Sequence, residues 1–255
     1  MSRIDSKPGQ RGFTLIELLT ALGIFLFICG AAFTLLGTSQ RHYQSESQVL
    51  SSFQEARLGL DQIVRDVNDA GYPPPTFFSA FNPALSASSP FAWSPKYPGT
   101  PCQIGVGGGG TCVTPGDFDL IIETNPNPQD PICVPCPVQW IRYQLQGTTL
   151  MRGTANKVAN GNPDTTTFGN LVPFVQNVVN SPAQPIFSYT CDTPTAPQPQ
   201  PPLCASLGTA TDNSPANIRD VIVTLIVAAP VSDITTGQPR LVQLVGRGRR
   251  INPNR

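Results

Sequence analysis

The sequence predicts an α+β protein: one long N-terminal helix packed on a mostly antiparallel β-sheet head with long loops. Three observations predict it. From Phe13 to Leu36 the only ionisable groups are Glu17 and the thiol of Cys29. From Val49 to Ala70 apolar residues recur at alternating spacings of four and three, as on one stripe of a helix. Beyond Gly71 the chain carries short β-branched or alternating runs, separated by stretches rich in Pro, Gly and Ser.

The first element is an apolar run of about 24 residues, against the roughly 20 that cross a bilayer as a helix. A polar leader precedes it, with Arg3, Lys7 and Arg11 against the single acid Asp5. That positive excess holds the leader in the cytoplasm and sends the C-terminal part across the membrane. A secretory signal peptide is cut after its apolar core, near small residues. Here no Ala-x-Ala-like site closes the core, and Gly37-Thr38-Ser39 is a poor substitute. A cut fits better before the core, at Gly12, where a missing side chain lets a protease approach the backbone.

Glu17 needs a reason. An acid in the first helical turn complements the dipole and the unpaired N–H groups, worth about 0.3–1 kcal/mol. The sharper expectation is that cleavage between Gly12 and Phe13 leaves an amine on Phe13. Glu17 then pairs with that amine on a neighbouring copy or a related subunit.

No proline intervenes before Pro73, so the helix is expected to run unbroken from Phe13 to about Ala70, roughly 85 Å at 1.5 Å per residue. Its stripe is Val49, Phe53, Ala56, Leu60, Ile63, Val67 and Ala70. A coiled coil with another chain would use such a stripe, but packing on the chain's own sheet is preferred because the stripe spans only about three heptads. Arg57, Asp61, Arg65 and Asp69 alternate in sign at i,i+4 spacing, which predicts weak ion pairs along the helix. Gly71 and Pro73-Pro74-Pro75 stop it.

The head then begins with a Pro-, Ser- and Gly-rich excursion from Tyr72 to about Pro115, studded with Phe77, Phe78, Phe81, Phe91 and Trp93. The aromatics argue for an ordered loop rather than a linker. Gly105–Gly110 lacks the Lys-Ser/Thr of a phosphate loop and reads as a loop tip. Strands are expected at Asp117–Thr124, at Val138–Gln144 with Thr149–Arg152 as a hairpin across Gly147, and at Leu171–Val179 paired with Pro185–Tyr189. Ile218–Ala228 is expected to pair with Arg240–Arg247 across the Asp233–Pro239 turn. Together they make one sheet of four to seven strands.

Of the seven cysteines, Cys29 lies in the apolar segment and six lie in the head. An even number in a translocated head reads as disulfides. Sequential pairing, Cys102–Cys112, Cys133–Cys136 and Cys191–Cys204, brackets a Pro/Gly-rich loop each time, although sequence alone does not choose among the connectivities.

Candidate chemistry is sparse. The single histidine, His42, has no partner for a metal site. Cys133-Val134-Pro135-Cys136 has redox-dithiol spacing but is flanked by Pro131 and Pro137 instead of opening a helix, so a structural disulfide is preferred. Zinc on Cys133, Cys136, Cys191 and Cys204 would require a second pair far wider than zinc sites use. Asp117, Asp119 and Glu123 offer oxygens of the type calcium takes, and equally read as solvated acids at a strand start. No metal or other cofactor is expected. No nucleophile, base and orienting acid come together, so no enzymatic activity is expected. Net charge is zero with 13% charged residues, which gives no general draw to nucleic acid. Arg247, Arg249, Arg250 and Arg255 form the only basic cluster, a solvated strand end or a contact for an acidic subunit or DNA phosphate.

Gly12-Phe13-Thr14-Leu15-Ile16-Glu17 followed by an apolar helix resembles the type III signal of type IV pilins and type II secretion pseudopilins. The resemblance implies cleavage after Gly12 by prepilin peptidase, N-methylation of Phe13, and steering of assembly by Glu17. Thr34 stands where many major pilins carry a proline, so a melted mid-helix segment is not expected. Residues Gln54–Asp66 and Ala70-Gly71-Tyr72 look like the helix end of PilW-type minor pilins and J-type minor pseudopilins. Tyr143–Arg152, Val175–Tyr189 and the terminal strand pair resemble later parts of that group more loosely.

The expected organisation is a cytoplasmic leader over 1–12, a transmembrane or filament-core helix over 13–36, its amphipathic extension over 37–71, and an extracytoplasmic head over 72–255. The resemblance implies a minor pilin or pseudopilin that primes assembly or sits at the tip. It begins as a single-pass inner-membrane precursor and ends in a pilus or pseudopilus, in the periplasm or at the cell surface. Its partners are prepilin peptidase and other major and minor pilins or pseudopilins. The alternatives are a membrane-anchored adhesin or DNA-uptake module using the cysteine-braced loops, and a tethered thiol oxidoreductase.

Overall fold

The computed structural model describes residues 12–75, 86–105, 112–125, 138–158, 161–163, 171–192, 201–209, 211–233 and 236–251. The chain divides into two units, Met1–Ser47 and Gln48–Arg255. One helix, α1 (Leu15–Asn68), contributes to both without interruption.

In the first unit α1 exposes its apolar side chains, Leu15 and Phe27 among them, both at 80%. It is long and apolar enough to cross a membrane, with a window of mean hydropathy 2.3. Its threonine hydroxyls are satisfied within the helix. Thr20 Oγ1 donates to the Ile16 carbonyl (3.0 Å), Thr34 Oγ1 to Ala31 (2.8 Å) and Thr38 Oγ1 to Thr34 (2.9 Å). Each bond removes a donor that hydrocarbon cannot accept.

In the second unit the stripe meets the chain's own sheets. Ala56, Leu60, Ile63, Val67 and Ala70 are buried in one core with Leu120, Ile122, Ile141, Leu150, Val175, Val221, Val223 and Leu225. The i,i+4 charge series does not behave as expected. Among the described residues no ion pair forms between Arg57, Asp61, Arg65 and Asp69. On an exposed helix face such pairs hold long side chains for little gain in water. The last turn is instead tied to the head, where Thr124 Oγ1 donates to the Asp69 carbonyl at 2.7 Å.

Among the described residues the strands form two antiparallel sheets instead of the one expected. The first has the order β1-β2-β3-β4-β5, from β1 (Phe91–Ala92), β2 (Asp119–Thr124), β3 (Gln139–Gln146), β4 (Thr149–Asn156) and β5 (Val172–Val175). The second is β6-β7-β8, from β6 (Phe187–Cys191), β7 (Ile218–Ser232) and β8 (Pro239–Arg249). Gly147, at φ 61°, makes the tight β3–β4 turn that a side chain would strain.

The expected pairing of Leu171–Val179 with Pro185–Tyr189 is not made. β5 joins β4 and β6 joins β7. The cause lies just after β5, where Asn177 takes a positive φ of 57° and ends the strand. The chain then crosses to β7, where the Asn180 side chain substitutes for a strand. Its amide N–H donates to Thr224 O and its Oδ1 accepts from Ile226 N–H, both at 2.9 Å. This segment links the two sheets.

β2 is buried on both faces. Leu120 and Ile122 face the helix side, while Ile121 faces a second core of Ala92, Trp93, Tyr97, Cys112 and Trp140. The aromatic rings there meet edge to face, with centroids 4.8 Å apart for Trp93–Tyr97 and 5.9 Å for Tyr97–Trp140. The Pro/Gly-rich excursion therefore covers the outer face of the first sheet.

Candidate functional site

Gly12 and Phe13 lie before the first helical turn, both exposed, with open space around the Gly12 Cα. The helix begins two residues later through a reciprocal cap. Thr14 N–H and Thr14 Oγ1 each donate to Glu17 Oε2 at 3.0 Å, and Glu17 N–H donates to Thr14 Oγ1 at 3.4 Å. This is the Ser/Thr-x-x-Glu capping box, which satisfies two orphan donors at the helix start. Thr14 was readable from that pattern, though attention to the glutamate alone passes over it. A carboxylate offers about four lone-pair sites, so Oε1 retains room for a further donor.

Two of the three acids weighed for calcium, Asp119 and Glu123, are used within the fold, while Asp117 takes part through its backbone carbonyl, which accepts from Ile186 and Phe187 N–H. Asp119 accepts from Arg142 Nε at 3.0 Å and from Gln144 Nε2 at 2.9 Å. Glu123, fully buried, accepts from Lys157 Nζ (2.9 Å), Trp140 Nε1 (3.1 Å), Ser88 N–H (3.0 Å) and the Tyr97 hydroxyl. Lys157 completes its three donors on Ser86 O (3.2 Å) and Ser88 Oγ (2.6 Å). Both charges of this pair are inside the protein and both are saturated, which is the condition under which a buried pair is tolerated. The pair pins the excursion to β2. Among the described residues no group of three or more His, Cys, Asp or Glu side chains stands ready to hold a metal.

Cys102–Cys112 and Cys191–Cys204 are disulfides. Cys133 and Cys136 lie outside the described residues, as do residues 106–110 of the glycine run and Arg255. Cys29 is free, and His42 is exposed on the helix. The basic cluster is partly engaged: Arg247 donates to the buried Asp220 at 2.7 Å and Arg250 to the Ala216 carbonyl at 2.6 Å.

A second polar group lies where α1 meets the first sheet. Asp66 accepts from the Tyr143 hydroxyl (2.5 Å), Arg152 Nη2 (3.0 Å) and Gln62 Nε2 (2.7 Å), with the Arg152 guanidinium 5.7 Å from the Tyr143 ring centroid. Asp66, Tyr143 and Arg152 sat within segments singled out for their resemblance, but nothing local in the sequence joins them.

Residues 7–36 match the family model of the prokaryotic N-terminal methylation motif. No curated protein and no solved structure matches the chain. The matched span carries Gly12, Phe13 and Glu17, so the chain bears a prepilin-type signal, and its long apolar helix on antiparallel sheets is a pilin-like α+β arrangement.

Proposed function

We propose that this type IV pilin-like chain is a minor pilin or pseudopilin, processed at Gly12–Phe13, methylated on Phe13 and built into a filament, where it primes assembly or occupies the tip. The observation that carries the reading is the methylation motif over residues 7–36, standing at an exposed Gly12–Phe13 step ahead of the apolar start of α1. In this reading residues 1–12 are the cytoplasmic leader and the head is extracytoplasmic. Prepilin peptidase makes the cut, and other pilins or pseudopilins are the assembly partners.

Glu17 then has two tasks in turn. In the single chain it caps its own helix through Thr14. In the filament its carboxylate takes the ammonium of Phe13 from a neighbouring subunit, which removes the cost of burying either charge alone.

Mass spectrometry of the mature N-terminus tests the processing. Methylated Phe13 is the expected first residue; an uncut Met1, or a cut near Gly37, overturns it. Glu17→Ala is expected to leave cleavage intact and lower filament incorporation, and normal incorporation in that variant removes the charge-pairing role.

A second reading, an anchored adhesin or DNA-uptake module, is favoured by the bracing of the excursion through Cys102–Cys112 and the Glu123–Lys157 pair. Deleting Gly105–Gly110 separates the two. Lost binding with normal assembly supports the second reading; lost assembly supports the first.

A further inference from the structure

β8 closes the second sheet on one side only. On β7, the N–H groups of Thr224 and Ala228 donate to Ile186 O (2.8 Å) and Asn177 O (2.9 Å), away from β8. The backbone groups of Val223, Leu225 and Val227 therefore face β8, where their partners are Gly246, Leu244 and Val242. The alternate residues of β8, Leu241, Gln243, Val245 and Arg247, turn their N–H and C=O groups to the outer edge. Arg249 shows the same parity, its N–H going outward to Asn68 Oδ1 at 2.9 Å. Among the described residues nothing bonds to the edge groups of the other four. Their side chains are open as well, with Leu241 60% and Val245 59% exposed.

We propose that this edge, Leu241–Arg247, is a strand-pairing site that receives an extended, acidic segment of a different subunit. It offers four residues of unpaired backbone over about 20 Å, enough for strand addition, with Leu241 and Val245 to receive apolar side chains. Edge strands that avoid pairing are blunted by charge, but the charges of β8 stand at its ends and leave the middle clear. β8 carries Arg240, Arg247 and Arg249 and no acid. Arg240 and Arg247 are met by Asp233 and Asp220, while among the described residues no salt bridge reaches Arg249. An incoming strand with Asp or Glu near Arg249 matches that end.

A second copy of β8 does not fit the charges. A two-fold axis through Gln243 sets Leu241 against Val245, but that copy brings three more arginines and no acid to meet Arg249. A different subunit stands beside this chain in the filament reading above, on which this step rests.

The test places a photo-crosslinking residue, p-benzoylphenylalanine, at Gln243 of the full-length chain in the cells that make it, with the N-terminus sequenced by mass spectrometry in the same sample. The expected adduct joins Gln243's position to a peptide of a different protein that carries Asp or Glu. Val245→Pro removes one outward N–H and no β7–β8 bond, and is expected to lower the adduct at least about fivefold. Its disulfides and melting profile report that it has folded. Should it fail to fold, Arg249→Glu serves as the second variant, with the adduct again reduced. No adduct, an adduct with a second copy, a captured segment without an acid, or a yield unmoved by the variants overturns the proposal. An uncut Met1 overturns the filament reading on its own readout, while the adduct is still scored for the edge.

Discussion

The Asp66 carboxylate on α1 accepts a hydrogen bond of 2.5 Å from the Tyr143 hydroxyl on β3, joining helix and sheet across a buried interface. Arg152 on β4 reaches the same carboxylate, so three elements share one acid. Asp66→Ala strands a phenol and a guanidinium at once and is expected to cost about 2–3 kcal/mol, whereas Tyr143→Phe is expected to cost about 1 kcal/mol. Denaturant melts of both variants and the double variant check this, and the double variant is expected to cost less than the sum.

Alkali is expected to unfold the head cooperatively. Burial, helped by Asp66, holds the Tyr143 phenol far above its ordinary value of 10.0; burial with Glu123 does the same for Tyr97, and burial with Asp117 and Asp119 for Tyr189. Below the ordinary value both folded and unfolded states keep these protons, so stability is intact. Above it only the unfolded chain releases them, and stability falls as pH rises. Ultraviolet titration is expected to show these phenols ionising together with the loss of folded structure, not before it.

The Glu123–Lys157 pair is expected to be costly to halve and cheap to replace whole. Lys157→Met leaves a saturated carboxylate without its cation, at about 3–5 kcal/mol, while Glu123→Gln combined with Lys157→Met recovers much of that loss. Protease sensitivity of residues 86–97, followed beside the denaturant melts, is expected to rise first in the single variant.

Two glycines on β8 set how closely α1 approaches. A Cβ on Gly246 would sit 2.9 Å from the ends of the Leu60 and Val64 side chains, and one on Gly248 would sit 2.6 Å from Val67 Cβ. Leu60 can turn aside, but a β-branched Cβ cannot. Gly248→Ala is therefore expected to destabilise more than Gly246→Ala, by about 1–3 kcal/mol, in equilibrium unfolding.

Asp69 carries a charge that its place disfavours. Partial burial, and then the nearby Asp66, raise its carboxyl above the ordinary 3.8. The folded state thus holds this proton more tightly than the unfolded one, and its contribution to stability declines as pH rises past that value. Asp69→Asn is expected to raise the melting temperature at pH 7 and leave it unchanged at pH 3.

What the sequence by itself determined lies close together along the chain. The signal around Gly12–Glu17, the unbroken helix with its stripe and the Gly147 hairpin each depend on neighbours, and local spacing suffices to state them. The two disulfides over separations of 10 and 13 residues follow the sequential order, but their choice among the possible pairings came from the folded structure. The tertiary structure alone decided the division into two sheets, the covering of β2 on both faces, the open edge of β8, and the Asp66–Tyr143 and Glu123–Lys157 contacts across 77 and 34 residues. Those depend on which surfaces meet after collapse. A buried acid chooses whichever distant donor the packing brings within reach, and no period in the chain encodes that choice.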